Sequence, residues 1–200
     1  MQIGKVVFPV TTLGPGTRIG IWTQGCYRAC KGCSNPELQL FDKSKEISVT
    51  ELVSRIKDFS FDGVTISGGE PFVQVEELYL LIKELRMLGV DDILIYSGFT
   101  KEELESRQDE KIYYILSEIS VLIDGPFIAE LVDDVPLRGS SNQRVWLFKD
   151  KYKDAYRQFL GSEKRVDIFE HQGWVHFIGI PGKDYQDVYK KYLEVKPKNE

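Results

Sequence analysis

The sequence has few of the residue types that most often build metal and catalytic centres. Its 200 residues contain two histidines and three cysteines, and no apolar run approaches the length that spans a bilayer. Positive charge is also in the minority, since 26 Lys and Arg residues stand against 31 Asp and Glu residues, for a net charge of -5. Because nucleic-acid binders usually carry a basic domain, we expect a protein that binds neither nucleic acid nor a membrane.

The rest of the composition is that of an ordinary globular protein, with 42% hydrophobic and 28% charged residues. The length is typical of one domain that can bury its own core. The first residues show no apolar signal segment, and every cysteine lies in one short motif, so a disulfide scaffold is disfavoured. We therefore expect a single domain over residues 1–200, located in the reducing cytoplasm.

The three cysteines are the most informative residues of the chain. Cys26, Cys30 and Cys33 are spaced C-x3-C-x2-C. A cubane of four irons and four sulfides takes one ligand per iron, so three thiolates leave one iron open to a substrate or cofactor, as reactive metal sites require. The alternative is zinc or a purely structural use. Zinc would need a fourth ligand, and the only histidines, His171 and His176, lie far downstream in a predicted hairpin.

Apolar strands alternate with amphipathic helices through most of the chain. The predicted strands are residues 3–10, 18–23, 64–67, 93–96 and 121–124. The predicted helices are residues 49–59, 75–88 and 101–118. This alternation is typical of a parallel sheet covered by helices, whose carboxyl strand ends form the face that hosts the site. Four segments are expected to converge there: the cysteine loop, Gly68-Gly69-Glu70, Ser97-Gly98 and Asp124-Gly125.

The pattern changes after Arg144. A strand over 145–148 and a helix over 152–160 precede two more strands, 165–170 and 174–180, which predict a hairpin around His171-Gln172-Gly173. Because no linker-like stretch intervenes, we expect residues 146–195 to form an appendage on the same domain, and the polar end, 196–200, to be frayed.

Three segments together resemble the radical S-adenosylmethionine superfamily: Gly14-Pro15-Gly16-Thr17-Arg18, the loop from Gly25-Cys26 to Cys33, and Ser67-Gly68-Gly69-Glu70-Pro71. They are most similar to the activating enzymes of anaerobic ribonucleotide reductase, and pyruvate formate-lyase activating enzyme is a more distant relative. Weaker matches lie at 96–100, 124–127 and 138–144, so the resemblance covers residues 8–145. With the strand pattern, it implies an α/β fold: a partial (β/α) barrel with a mostly parallel sheet and a C-terminal β-hairpin appendage.

The resemblance also implies cofactors and partners. A 4Fe-4S cluster would be held by Cys26, Cys30 and Cys33, with S-adenosylmethionine chelating the open iron through its amino and carboxylate groups. In the family, one electron breaks the S–C5′ bond, and the 5′-deoxyadenosyl radical abstracts hydrogen from a substrate. A low-potential flavodoxin or ferredoxin-type donor would supply the electron.

Seven residues are expected at S-adenosylmethionine by this resemblance: Gly32, Ser34, Gly68, Gly69, Glu70, Ser97 and Asp124. Glu70 would accept from the methionine ammonium, although the same segment also suits a tight turn with Pro71 at the first helical position. Ser97 and Asp124 have alternative readings as a turn serine and a capping aspartate. Gly32 stands where many members carry an aromatic residue against the adenine, so the adenine must be held elsewhere.

Several cationic residues are further candidates. Arg18 and Arg138 suit a substrate carboxylate or a partner's backbone loop, because guanidinium groups bind such groups bidentately; the alternative is a surface position. Arg28 and Lys31 either offset the negative charge of a cluster or are solvated loop residues. Pyruvate formate-lyase activating enzyme has an aspartate where Tyr96 stands, so its cation site is not expected here.

The leading hypothesis is an activase that abstracts hydrogen from a backbone glycine of a partner glycyl radical enzyme. A short chain leaves an incomplete barrel open at the side, and no cysteines remain for auxiliary clusters, so a macromolecular substrate is favoured. The appendage motivates an alternative, a radical enzyme that modifies a small molecule or a peptide. A third hypothesis is a non-catalytic iron–sulfur binding module.

Overall fold

Six strands follow one another in chain order across a single sheet in the computed structural model, which describes residues 1–171 and 174–182. The strands are β1 (Ile3–Val10), β2 (Arg18–Thr23), β3 (Gly63–Gly68), β4 (Ile93–Tyr96), β5 (Val121–Asp124) and β6 (Arg144–Leu147). Strands β2 to β5 are parallel, whereas β1 and β6 pair antiparallel at the two edges. The edges do not pair with each other in the described residues, so the predicted partial barrel with a mostly parallel sheet is confirmed.

Five α-helices accompany the strands in the described residues. They are α1 (Val49–Ile56), α2 (Val75–Met87), α3 (Lys101–Ser106), α4 (Glu110–Glu118) and α5 (Lys153–Leu160). Short 3₁₀ turns lie at Pro36–Leu38, Lys43–Lys45, Pro71–Val73, Ala129–Leu131 and Asp150–Tyr152. None of these helices is long and apolar enough to cross a membrane. Side-chain caps fix the starts of several helices: the Ser48 hydroxyl accepts from the Glu51 amide, and Thr100 with Glu103 forms a full capping box.

One helix prediction is wrong. Residues 101–118 form two helices rather than one, because Gln108 adopts a left-handed conformation with φ of 52°. The Asp109 carboxylate then accepts from the Lys111 amide and starts α4 anew. A left-handed residue cannot continue a right-handed helix, so the chain turns between α3 and α4. Helix α1 is also shorter than predicted and ends at Ile56.

The sheet is buried on both faces. On one face, residues such as Ile21, Ile66 and Ile95 pack against Leu81 and Ile115 of the helices. On the other face, Leu94, Val121 and Ile123 pack against Leu137 and Tyr156. This two-sided burial explains why β3 to β5 have nearly continuous apolar sequences. It also fixes the strand ends, because such close-packed cores allow little movement.

A buried polar network lies at the amino ends of the parallel strands. Arg18 is fully buried, and its Nη1 lies 2.6 Å from Asp92 Oδ2. Its Nε donates to Thr65 Oγ1 at 2.7 Å, and the Tyr156 hydroxyl donates to Asp92 Oδ1 at 2.9 Å. The prediction that Arg18 contacts a substrate or partner is therefore wrong: its guanidinium does grip a carboxylate, but that carboxylate belongs to the scaffold.

The appendage contains the predicted hairpin, formed by β7 (Val166–His171) and β8 (Trp174–Gly179) in antiparallel pairing. It makes a sheet of its own, separate from the six strands. The predicted turn residues Gln172 and Gly173 lie outside the described residues, as does everything after Gly182, including the predicted frayed end at 196–200.

Candidate functional site

A cavity of about 1030 Å³ opens at the carboxyl ends of the parallel strands. Its walls come from the four predicted segments: the cysteine loop, Ser67–Glu70 at the end of β3, Ser97-Gly98 after β4 and Gly125 after β5. Three further parts of the wall were not predicted: the stretch with Asn35, Pro36 and Gln39, parts of the segment between β5 and β6, and the end of the hairpin. The volume is at the upper end of the range for a single small ligand, so the cavity has room for more than one.

The cysteine loop leaves β2 and presents Cys26, Cys30 and Cys33 as free, half-buried thiols. Its start is anchored by backbone, because the Cys26 amide donates to the Gln39 carbonyl at 2.8 Å. The Arg28 amide points at Cys26 Sγ from 3.4 Å, and amides aimed at sulfur tune a cluster's potential. Burial raises the pKa of the Cys26 thiol.

The donor set fits an iron–sulfur cluster better than a single ion. Thiolates are soft ligands that suit iron–sulfur chemistry, and all three line the same cavity. Among the described residues, no group of three His, Cys, Asp or Glu side chains is arranged to hold one metal ion. The structure therefore assembles no zinc site within the part of the chain that it describes.

The Gly68-Gly69-Glu70 turn packs its backbone directly against the start of the cysteine loop. The Gly69 amide donates to the Thr23 carbonyl at 2.8 Å, and the Glu70 amide donates to the Gly25 carbonyl at 2.9 Å. A Cβ on Gly69 would lie 2.2 Å from the Gly25 oxygen, which is far too close. Only glycine allows this approach, so the turn and the loop are held in one fixed relation.

Glu70 is the most constrained carboxylate of the cavity wall. Only 2% of the residue is exposed, and its Oε1 accepts from the Phe72 amide and the Ser97 hydroxyl, both at 3.0 Å. Its Oε2 accepts from the Gly98 amide at 2.6 Å. Burial raises the pKa of Glu70, and the bonds from the two amides and Ser97 oppose this rise. An ionised carboxylate offers about four acceptor positions, so one position, on Oε2, is left for a further donor.

The turn reading of the Glu70 segment is met in the structure. Pro71 opens a short 3₁₀ turn, Pro71–Val73, with the Glu70 side chain as its cap. The same carboxylate lines the cavity. Because the turn leaves one acceptor position on Oε2, the contact between Glu70 and the cofactor stays a prediction.

Arg28 reaches from the cysteine loop onto the end of β4. Its guanidinium lies 4.3 Å from the centre of the Phe99 ring, and its Nη2 lies 3.0 Å from Glu103 Oε2. A Cβ on Gly98 would lie 2.5 Å from Arg28 Cδ, so glycine is needed there. The Arg28 Nε is buried without a hydrogen-bond partner among the described residues. Arg28 is thus a wall residue of the cavity, whereas the Lys31 side chain is 91% exposed.

The other residues predicted at S-adenosylmethionine differ in whether they line the cavity. Gly32, Ser34 and Ser97 line the cavity. Asp124 does not: it is fully buried, its Oδ2 accepts from the Lys101 amide at 2.6 Å, and its Oδ1 accepts from Arg144 Nε at 3.0 Å. Its expected direct contact with the cofactor is therefore corrected, because the carboxylate is already used within the protein, and Gly125 takes its place on the wall.

Arg138 and Tyr96 also differ in their surroundings. Arg138 Nε donates to Asp133 Oδ2 at 2.8 Å on the same loop, and its neighbour Gly139, rather than Arg138 itself, is a wall residue. Tyr96 lines the cavity, and its hydroxyl is buried without a partner among the described residues. Burial raises the pKa of Tyr96, so the hydroxyl keeps its proton at neutral pH.

An aromatic side chain faces the glycine that precedes the last cysteine. Phe127 lines the cavity, and its Cε1 would lie 3.6 Å from a Cβ placed on Gly32. The loop that carries Phe127 is braced by Gln143, which accepts from the Gly139 amide at 2.7 Å and donates to the Gly125 carbonyl at 3.0 Å. The sequence reasoning missed both residues, although they fall within the weakly matching segments 124–127 and 138–144.

Similar sequences occur in known proteins. Residues 12–146 match the family model described as a 4Fe-4S single cluster domain. The chain is 34% identical over 145 residues to the anaerobic ribonucleoside-triphosphate reductase-activating protein of Haemophilus influenzae, covering 68% of this chain and 91% of the relative. The protein of the same name from Vibrio cholerae is 30% identical over 151 residues, covering 70% and 95%. The pyruvate formate-lyase-activating enzyme of Staphylococcus aureus is 30% identical over 199 residues, covering 83% and 79%.

Proposed function

Because this chain belongs to the radical S-adenosylmethionine family of glycyl-radical-enzyme activases, we propose that it cleaves S-adenosylmethionine reductively and takes a hydrogen atom from a glycine of a partner enzyme. A partner such as anaerobic ribonucleotide reductase fits the names of the relatives. The single observation that carries the proposal is the convergence of three free thiols and a buried carboxylate with a spare acceptor position on one open cavity.

Cys26, Cys30 and Cys33 would hold the 4Fe-4S cluster. When bound, the cluster and the cofactor supply one-electron cleavage of the S–C5′ bond and the hydrogen abstraction that follows, which leave methionine, 5′-deoxyadenosine and a radical on the substrate. The backbone contacts between the loop and the Gly68-Gly69-Glu70 turn keep the thiols and Glu70 in register. The chain contributes position and electrostatics to this chemistry.

Glu70 is assigned to the ammonium of the methionine moiety. Its carboxylate is held by three hydrogen bonds, so it need not reorganise when a cation arrives. Charge-assisted hydrogen bonds of this kind are about twice as strong as neutral ones. Ser97 acts through Glu70, because its hydroxyl orients the carboxylate.

Arg28 and Phe127 are assigned to the two other parts of the cofactor. The Arg28 Nε–H is a buried donor without an acceptor on the cavity wall, which suits the carboxylate of the methionine moiety. Phe127 offers an aromatic face next to Gly32, where adenine would otherwise lack a stacking surface. Aromatic stacking on a base is sequence-tolerant and strong enough to hold a nucleoside.

The electron would come from a low-potential flavodoxin or ferredoxin-type protein, since iron–sulfur clusters of this class work near about -400 mV. The confinement of the cysteines to one motif and this redox chemistry support a location in the reducing cytoplasm.

The test is anaerobic reconstitution with iron and sulfide, followed by reduction in the presence of S-adenosylmethionine and a purified anaerobic ribonucleotide reductase. We expect a glycyl doublet by electron paramagnetic resonance that is lost with Cys30→Ala. Cleavage of S-adenosylmethionine without any glycyl doublet would contradict the assignment of the partner. A protein that turns over repeatedly on a small molecule or a peptide would favour the alternative hypothesis.

A further inference from the structure

The C-terminal hairpin reaches the cavity although it lies beyond the stretch that matches the family model. That match ends at residue 146, whereas Ile180, Pro181 and Gly182, which follow β8 directly, line the cavity. The hairpin end shares the wall with Phe127, Val132 and Gly139 of the segment between β5 and β6. The appendage is therefore part of the site's boundary.

Asp167 fixes the hairpin to the end of β1. Its Oδ2 accepts from the Thr11 amide and its Oδ1 from the Thr11 hydroxyl, both at 2.8 Å. Thr12 Oγ1 lies 3.1 Å from Asp167 Oδ2 and 2.9 Å from the Ile178 carbonyl oxygen. The Asp167 carboxylate thus joins β7 to the segment after β1, and the Thr12 hydroxyl joins that segment to β8. Together they set where the chain leaves the hairpin.

The hairpin is also packed on apolar residues of the barrel. Ile178 is 1% exposed and belongs to a cluster with Val10, Leu13, Trp22 and Leu38. Burying an apolar side chain of this size stabilises the packed position of the hairpin. The wall at 180–182 therefore has a defined position.

A second, smaller cavity continues from the main one beneath the hairpin. It measures about 80 Å³ and lies between the hairpin and the β1–β2 edge of the sheet. The two cavities share five lining residues: Ser34, Asn35, Ser67, Ile180 and Pro181. The lining thus continues along the hairpin, which leaves room for a stretch of chain.

The hairpin end offers uncharged groups to whatever enters. Ile180 and Pro181 present apolar side chains, and Gly182 presents only backbone. This part of the wall favours an uncharged segment of peptide, because a charged group would lose hydration there without a partner.

We propose that the hairpin end, residues 180–182, receives the glycine-bearing segment of the partner enzyme and determines which segment is accepted, with Asp167 as the residue that positions this wall. This inference rests on the proposed function and adds a region of the chain to it. It predicts that changes in the hairpin affect recognition of the partner more strongly than they affect cleavage of S-adenosylmethionine without the partner.

The test compares three variants of the full chain, each reconstituted anaerobically. Ile180→Glu places a charge in the wall, and Asp167→Asn weakens the anchor. Ile168→Glu is the matched control. It also replaces an isoleucine of the hairpin with glutamate, but at a residue that is 47% exposed and does not line the cavity. Two quantities are measured: the concentration of a purified anaerobic ribonucleotide reductase that gives half-maximal glycyl radical, and the rate of 5′-deoxyadenosine formation without that partner.

We expect the half-maximal concentration to rise about tenfold for Ile180→Glu and about threefold for Asp167→Asn. Ile168→Glu should stay within about twofold of the wild type in both quantities, and in the other two variants the partner-independent rate should fall by a smaller factor than the half-maximal concentration rises. If Ile180→Glu does not fold, as judged by circular dichroism, Ile180→Ala replaces it, with an expected rise of about threefold.

An unchanged half-maximal concentration for the Ile180 variant would overturn the proposal. So would an equal loss of partner-independent cleavage, because the wall would then serve the cofactor. Both results presuppose a glycyl radical with the wild type. A wild type that forms 5′-deoxyadenosine but no radical on the partner would instead overturn the proposed function, and this inference with it.

Discussion

Buried polar groups lie at both ends of the parallel strands, and the two ends treat them differently. At the amino ends, the five N–H donors of Arg18 meet acceptors from Pro15, Val64, Thr65 and Asp92. At the carboxyl ends, Arg28 Nε and the Tyr96 hydroxyl have no partner in the described residues, and Glu70 keeps an acceptor position. Because buried polar groups are normally paired, we read the first end as scaffold and propose that the second binds a ligand.

The same contrast separates two carboxylates at the carboxyl ends of β3 and β5. Asp124 is bound on both oxygens by the Arg144 guanidinium and by the Lys101 amide, and it does not line the cavity. Glu70 lines the cavity and retains capacity on Oε2. Position at a carboxyl strand end is therefore insufficient to identify a ligand group, and the remaining hydrogen-bonding capacity must also be counted.

The largest effect on function is expected from the cysteines. Cys30→Ala removes one of three cluster ligands, so we expect iron content to fall sharply and 5′-deoxyadenosine formation to drop at least about 1000-fold. The measurement is iron and sulfide content with product formation by chromatography. Thermal unfolding of the unreconstituted variant should match the wild type, and an active, iron-loaded Cys30→Ala protein would contradict the ligand assignment.

The largest effect on stability is expected at the opposite end of the strands. Asp92→Ala leaves the Arg18 charge buried without its counter-ion, which should cost about 3–5 kcal/mol in the free energy of unfolding. Tyr156→Phe removes only one hydrogen bond to the same carboxylate and should cost about 2 kcal/mol. Urea denaturation measures both. Folded molecules of either variant should bind S-adenosylmethionine as the wild type does, and a selective loss of binding would break the distinction between the two ends.

Glu70→Gln should show the reverse of these two variants, with a large effect on binding of S-adenosylmethionine and a small effect on the free energy of unfolding. It removes the negative charge that faces the ammonium, so the dissociation constant for S-adenosylmethionine should rise about 10- to 100-fold. Asp124→Asn is the matched control, because it alters a buried strand-end carboxylate that does not line the cavity, and its affinity should change less than about twofold. Anaerobic equilibrium dialysis of reconstituted protein measures both constants. Equal losses for the two variants would refute the separate roles.

The raised pKa of Glu70 gives this prediction a pH dependence. Burial favours the protonated carboxyl in the folded protein, so its contribution to stability declines as pH rises from the ordinary carboxyl range through the raised pKa. Ammonium binding needs the ionised form, so affinity for S-adenosylmethionine should increase over the same interval. Dialysis across a pH series should show this rise in the wild type and a flatter profile in Glu70→Gln.

A smaller effect is expected at the adenine end. Phe127→Leu keeps an apolar side chain but removes the aromatic face, so affinity for S-adenosylmethionine should fall about tenfold. Phe41→Leu is the control: its ring stacks on Tyr27 at 4.7 Å beside the cysteine loop but does not line the cavity. Anaerobic equilibrium dialysis measures the affinity of both variants. An unchanged affinity for Phe127→Leu would contradict the assignment of Phe127 to the adenine.

Local signals in the sequence predicted most elements and the centre of the site. Apolar periodicity gave the strands and all but one of the helices, because each burial pattern is a local property of the chain. The cysteine spacing and the Gly68-Gly69-Glu70 turn were predictable for a similar reason: they concentrate chemistry in a few adjacent residues. The break at Gln108 was not predictable, because nothing in the spacing of the neighbouring residues indicates a left-handed conformation.

Long-range pairing is what the sequence could not show. Arg18 finds its carboxylate 74 residues away at Asp92, and Asp124 is occupied by Arg144 across the β5–β6 pair. The hairpin end reaches the cavity through packing of Ile178 on the barrel, which no motif near residue 180 indicates. Whether a polar residue is free or already paired depends on such contacts, so the candidate residues had to be separated by structure.

The most direct measurement is 5′-deoxyadenosine formation by the reconstituted, reduced protein with S-adenosylmethionine, using Cys30→Ala as the blank. Under the proposal that the unpaired groups at the carboxyl strand ends bind this cofactor, the wild type should form methionine and 5′-deoxyadenosine in equal amounts and the blank should form neither. An iron-loaded, reduced wild type that binds no S-adenosylmethionine and forms no 5′-deoxyadenosine would contradict that claim and would favour a non-catalytic iron–sulfur module.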